Sequence, residues 1–194
     1  ALVTDRPPVI GRDTWTISHI VRTMAPLLLA LSMLELGSGL VLESLQSTYL
    51  DNPTLLVLVP VMIGMGGNLG AIVAARLSTQ LHLGTLTFDP RASELRASIL
   101  AIMALAATVF SVLGVVAYAL GHLLGAPMAL SALLTISLVS GLSLAVIAIA
   151  LGIAATYVSY RRGYDPDDVT VPVVTNVCDI LGVVILSAVA IVVL

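Results

Sequence analysis

Five transmembrane helices in an all-α integral membrane protein are the architecture this sequence predicts, and three observations predict it. Of 194 residues, 59% are hydrophobic and only 10% charged, a balance foreign to ordinary soluble domains. A window of about 19 residues finds five apolar runs, at roughly 20–45, 54–75, 97–124, 126–157 and 169–194. The third observation is the placement of the basic residues, all of which are Arg. Arg6 and Arg12 precede the first run and Arg22 lies at its start, Arg76, Arg91 and Arg96 bracket the loop between the second and third, and Arg161 and Arg162 separate the fourth from the fifth. The other two loops carry no Lys or Arg. Basic residues at span ends favour the cytoplasm, so the N-terminus is expected in the cytoplasm and the C-terminus outside.

Residues 1–19 are then a cytoplasmic N-terminal segment, and residues 20–194 form one five-helix transmembrane domain, a multi-pass protein expected in the plasma membrane. The first 15 residues include Asp5, Arg6, Pro7, Pro8, Arg12 and Asp13, so no apolar region of a cleavable signal is expected there. Trp15 suits an interfacial anchor. The charges are scattered and mixed in sign, which leaves no nucleic-acid footprint.

The first run holds two carboxylates, Glu35 and Glu43, eight residues apart and so on roughly one face. Glu43 is near the outer surface, with a structural or a vestibule role. Glu35 is deeper and costlier to bury; it either meets a polar neighbour or lines an outer vestibule that attracts cations. The second run contains Pro60, Gly64, Gly66, Gly67, Asn68 and Gly70. In a helix interior Gly costs about 1 kcal/mol and Pro about 3 kcal/mol relative to Ala, so the cluster needs a reason. Close helix packing is one. A locally opened helix, whose freed carbonyls and Asn68 amide oxygen line a wet cavity, is the other. The runs themselves are rich in Ala, Gly, Ser and Thr, which let helices approach closely in lipid.

The fifth run carries Asp179 about halfway along. An ionisable group at that depth costs on the order of 3 kcal/mol on insertion scales, which marks Asp179 as a functional candidate. Pro172, Thr175, Asn176, Asp179 and Gly182 stand at steps of three and four, a polar stripe along one helix face. Its ligands are oxygens and amides. Hard cations favour such donors, whereas Zn²⁺ or Cu⁺ would favour Cys and His; Mg²⁺, held by one or two carboxylates and retained waters, is the sharpest expectation, with Ca²⁺, Mn²⁺ and Co²⁺ open on the same chemistry. Cys178 reads as a small buried residue, with metal ligation as the alternative. Asp165, Asp167 and Asp168 read as helix-capping charges, with a weak cytosolic Mg²⁺ site as the alternative. Arg76, Arg161 and Arg162 read as topology determinants whose charges reach the inner surface. Five spans do not divide into two repeats, so a two-fold axis between chains would be needed to present Asp179 twice.

Pro60 with Gly66-Gly67-Asn68-Leu69-Gly70 and Arg76, then Asp165-Pro166 with Pro172-Val173-Val174-Thr175-Asn176-Val177-Cys178-Asp179-Ile180-Leu181-Gly182, resemble the two signature segments of the MgtE membrane domain. The chain is similar also to each half of the vertebrate solute-carrier magnesium transporters. The resemblance implies a parallel homodimer in the lipid bilayer, with an ion path along the dimer axis lined by spans two and five. Asp179 would be the main Mg²⁺-binding group, and Asn68 would face the same path. Thr175 and Asn176 fall in the same segment, where Asn176 replaces a second Thr and keeps an oxygen ligand. Ile72 and Val171 stand where the family commonly has polar residues, so a less polar site is expected. Bacterial members carry cytosolic regulatory domains ahead of the membrane part, and no such ion-sensing domain is expected within these 194 residues.

Divalent cation transport, with Mg²⁺ as the ion, is therefore the leading expectation. A proton-coupled transporter of another solute, with Asp179 as proton relay, is the alternative. An enzyme is not expected, because no nucleophile and base pair up at membrane depth.

Overall fold

The computed structural model describes residues 17–84, 93–162 and 166–194. Six helices account for nearly all of them: α1 (Ile17–Ser44), α2 (Gln46–Asp51), α3 (Pro53–His82), α4 (Ser93–Leu123), α5 (Leu130–Arg162) and α6 (Pro166–Val193). No strand occurs among the described residues. Five helices are long and apolar enough to cross a membrane. They are the five anticipated runs, and α2 is an addition: a short helix that turns the chain between α1 and α3.

The helices outrun the apolar windows at the arginine-bearing end. α3 extends to His82, beyond the expected limit near residue 75, and α5 continues to Arg162. Hydropathy finds the part suited to hydrocarbon, whereas helical hydrogen bonding continues into the interface. α6 begins at Pro166, where a missing N–H is harmless because the first turn has no partner for it. Pro172 is thereby interior, one and a half turns in, and removes the donor that would have met the Asp168 carbonyl. Asp165, Trp15 and the side chains of Asp167 and Asp168 lie outside the described residues.

α3, α5 and α6 form the centre of the bundle, with α4 packed on α5 and α3. The core runs through Leu55, Leu58, Met62, Leu69 and Val73 of α3, Leu133, Ile136 and Leu144 of α5, Phe110 of α4, and Val174, Cys178 and Leu186 of α6. Cys178 is fully buried, as expected of a small core residue. Buried hydroxyls are tied to neighbouring backbone: Ser137 Oγ donates to the Phe110 carbonyl at 2.6 Å, joining α5 to α4, and Thr54 Oγ1 donates to the Ala126 carbonyl, joining α3 to the α4–α5 loop. α1 is peripheral. Half of the most apolar window of α5 is buried, against 6% for α1, which packs chiefly on α6.

The chain reverses direction at each crossing, so α1, α4 and α6 run one way and α3 and α5 the other. Every described Arg, at positions 22, 76, 96, 161 and 162, lies toward one end of the bundle. The opposite end carries α2, Glu43 and Asp51. There the Tyr49 hydroxyl, buried in α2, meets Ser187 Oγ of α6 at 2.7 Å, while Ser187 donates to the Val183 carbonyl at 2.7 Å. With the Ser187 proton engaged, Tyr49 is the donor. Burial raises the Tyr49 pKa above its ordinary value, against a smaller lowering by Ser187.

Candidate ion-binding site

α3 is an unbroken helix through the glycine cluster, so the expectation of an opened helix gives way to the close-packing one. Backbone approach to α6 is the physical reason. A Cβ on Gly66 would lie 3.0 Å from the Cys178 carbonyl oxygen and 2.9 Å from Leu144; one on Gly70 would lie 3.2 Å from the Val174 backbone. Gly182 returns the arrangement from α6, where a Cβ would stand 3.2 Å from the Met62 carbonyl oxygen. Residues with side chains at these positions would push the two helices apart.

Gly67 lies on the edge of this seam and faces a carboxylate. A Cβ there would stand 2.7 Å from Asp179 Oδ1 and 3.2 Å from Oδ2. Asp179 is thirteen residues from the start of α6 and fourteen from its end. Its Oδ1 is buried and has no hydrogen-bond partner in the chain. The Gly67 backbone N–H is the donor that acts on the carboxylate, and it leaves Oδ1 without a hydrogen bond of its own, an arrangement that is costly for a buried oxygen. A cation supplies that stabilisation directly.

One turn toward the arginine end, Thr175 Oγ1 donates to the carbonyls of Val171 and Pro172 at 2.9 and 3.1 Å, and Asn176 Nδ2 donates to the Pro172 carbonyl at 2.8 Å. Both side chains turn their donors back onto their own helix. What they leave outward are acceptors: the lone pairs of Thr175 Oγ1 and the Asn176 Oδ1. Asn68, next to Gly67, lies on the open side of α3 with its amide exposed. Pro60, Gly64, Asn68, Ile72 and Ala75 share that open side at near-helical spacing. The polar stripe thus survives at Pro172, Thr175, Asn176 and Asp179, all half-buried, whereas Gly182 leaves it and enters the core. Among the described residues no three His, Cys, Asp or Glu side chains converge as a metal cage. The site offers a few oxygens beside an open face, which suits an ion that keeps part of its hydration shell.

The sequence also singled out Glu35 and Glu43, and the structure separates them. Glu43 is exposed near the end of α1 opposite the arginines. Glu35 is half-buried, in electrostatic reach of Asp179. The seat formed by Gly67 escaped the sequence reading, which saw four glycines in a cluster but had no means of telling which of them faces the carboxylate.

Residues 59–189 match the MgtE family, described as divalent cation transporter. The chain belongs to the MgtE family. The matched region runs from the middle of α3 to near the end of α6 and includes Asn68, Thr175, Asn176 and Asp179. The chain is also similar to solute carrier family 41 member 3 of Rattus norvegicus, with 30% identity over 181 residues that cover 88% of this chain and 38% of that protein. The Mus musculus protein of the same name is 31% identical over 189 residues, 94% of this chain and again 38% of the relative. The chain therefore spans well under half the length of these relatives. As a member of MgtE it belongs to a family of membrane transporters for divalent cations, not of enzymes.

Proposed function

We propose that this MgtE domain carries Mg²⁺ across the plasma membrane, with Asp179 as its main ion-binding group. The observation that carries the reading is the buried Asp179 Oδ1, halfway along a membrane-length helix and without a donor. Thr175 and Asn176 contribute outward acceptors one turn away, and Asn68 contributes an amide on the adjoining face of α3. Mg²⁺ fits this set because it dehydrates reluctantly and accepts one or two carboxylates with waters in the remaining positions.

The bundle lies with its arginine end in the cytoplasm, which places the N-terminus inside and the C-terminus outside. Two copies associate in parallel, so that the open side of α3 and the Asp179 edge of α6 line a path along the dimer axis. The unpartnered side of α3, from Pro60 to Ala75, supports this assembly. So does the length of the relatives, into which a unit of this size fits twice. Glu43, exposed at the outer end of α1, contributes negative potential to the mouth of the path.

Uptake into proteoliposomes tests the reading, with Mg²⁺, Ca²⁺, Mn²⁺ and Co²⁺ compared for the native chain, Asp179→Asn and Asp179→Ala. Mg²⁺ entry that both substitutions abolish is the expected result. Mg²⁺ uptake that survives loss of the carboxylate would remove Asp179 from the site, whereas absence of divalent-ion uptake would favour the proton-coupled alternative.

A further inference from the structure

Glu35 is a carboxylate on an otherwise apolar stretch of α1, and its position follows from three independent features. The first is the face it occupies. Along α1 the half-buried or buried positions include Met24, Leu27, Leu31, Glu35, Ser38 and Leu42, at steps of three and four, with Leu31 the buried one. This stripe is the packed face of the helix, and Leu42 and Leu45 at its end join the core. α1 packs chiefly on α6, so Glu35 faces the helix that carries Asp179.

The second feature is depth. The Tyr49–Ser187 hydrogen bond ties α2, which follows the end of α1 after one residue, to the level of Ser187 on α6. Asp179 is two turns below Ser187, about 12 Å at 1.5 Å per residue, and Glu35 is nine residues below Ser44, about 13 Å. α1 and α6 run in the same direction and pack together, and Glu35 is an electrostatic neighbour of Asp179, so the two carboxylates stand at similar levels. The third feature is the lack of a countercharge. Ser38 Oγ donates to the Glu35 backbone carbonyl at 2.7 Å and not to its carboxylate. Among the described residues no Arg or His is paired with either acid.

We propose that Glu35 is the second carboxylate of the Asp179 site, and that this pair, drawn from α1 and α6, gives one chain the two negative charges that match a divalent rather than a monovalent cation. The inference rests on the transport reading and goes further within it, since it moves Glu35 from an outer vestibule to the binding level. Two like charges at one depth in a low-dielectric region repel each other when no ion is bound. A bound divalent cation reverses the sign of that interaction.

The test measures thermal unfolding of the 194-residue chain in detergent, in EDTA and over a Mg²⁺ titration, beside Mg²⁺ uptake. The variants are Glu35→Gln, Glu35→Asp and Asp179→Asn. A ligand at free concentration L that binds only the folded protein stabilises it by RT ln(1 + L/Kd), so the Mg²⁺ concentration at which a fixed rise in unfolding temperature is reached, taken as the midpoint, shifts with affinity. For Glu35→Gln the expected result is an unfolding temperature in EDTA equal to or above that of the native chain, a Mg²⁺ midpoint at least ten-fold higher, and uptake reduced by a similar factor. Glu35→Asp keeps the charge and retains most of the Mg²⁺ response. A Glu35→Gln chain that unfolds earlier in EDTA but keeps its Mg²⁺ midpoint would make Glu35 a structural residue and overturn the inference. If in that case Asp179→Asn still abolishes the Mg²⁺ response, the transport reading stands without it. If Asp179→Asn also leaves the response intact, the site itself is wrong and both fall.

Discussion

The seam between α3 and α6 has two regions built from the same short glycine-rich segment. At Gly66 and Gly70 the α6 backbone comes close, with Cys178 and Val174 buried against them. At Gly67, one position along, the neighbour is the Asp179 carboxylate. The 100° step between consecutive helical residues is what separates them: one face of the segment seals two helices together while the adjacent face admits a charge. Sealing depends on fixed backbone, whereas the carboxylate sits at the end of a side chain that can shift. The two regions should therefore fail in different ways when altered.

The largest effect should come from the charge itself. Asp179→Ala removes the only ionisable side chain of the α6 polar stripe, and uptake should fall more than 100-fold while the protein still folds, because a half-buried carboxylate whose Oδ1 has no hydrogen-bond partner adds little to stability in the absence of an ion. Circular dichroism and uptake on the same preparation check both halves of this outcome. Next in size is Gly67→Ala. Its Cβ would meet Asp179 Oδ1 at 2.7 Å, and the carboxylate must rotate away. Uptake should drop about ten-fold, since a displacement of roughly 1 Å at a binding group costs on the order of 10²-fold at most. Stability should change by less than about 1 kcal/mol, helped by the better helix propensity of Ala.

Gly70→Ala tests the sealed region. Its Cβ would stand 3.0 Å from Val174 Cγ1 and 3.2 Å from Val174 backbone atoms, which cannot yield without moving α6. Overpacking of this kind costs typically about 1–3 kcal/mol, so the expected result is a clear loss of stability in chemical or detergent unfolding, with uptake per folded protein little altered. If Gly67→Ala and Gly70→Ala give the same pattern, the seam acts as a single unit and its two faces are not distinct. Gly64 is the remaining comparison, because nothing within 4 Å would meet a Cβ there. Gly64→Leu should leave the monomer folded and reduce the dimer fraction several-fold by native mass spectrometry if a second copy covers that face.

Most of the fold was legible in the sequence because hydrocarbon imposes strong rules. Five apolar runs, the one-sided arginines and the cost of Asp179 at mid-membrane needed no tertiary information. What escaped the reading depends on helix rotation and on neighbours. The cluster from Gly64 to Gly70 was equally consistent with an opened helix and with close packing, and only the positions of Cys178 and Val174 decide for packing. Glu35 and Glu43 looked like one acidic face, since their spacing of eight puts them at similar angles. The structure sets one in the packed stripe of α1 and leaves the other exposed, because a long apolar helix has no polar face in its sequence to tell which side meets α6. α2 escaped because six residues are too few for a periodic signal.

The smallest effect concerns the Tyr49–Ser187 bond, which ties α2, the helix that follows α1, to α6. Tyr49→Phe keeps the ring that fills the core and removes one donor. Ser187 still donates to the Val183 carbonyl, so no hydroxyl is left without a partner. Hydrogen bonds of this kind in membrane proteins average about 0.6 kcal/mol, which sets the expected loss of stability. The functional consequence differs between the two carboxylates. Asp179 keeps its place on α6, whereas Glu35 depends on where α1 sits, and a looser α1 lets Glu35 drift from the Asp179 level. Tyr49→Phe should therefore weaken Mg²⁺ uptake by a factor of about two in the native chain and have no further effect in Glu35→Gln. A loss of uptake that persists undiminished in the double variant would mean that Tyr49 acts on the path by some route other than Glu35, and the shared depth of the two acids would then have no functional weight.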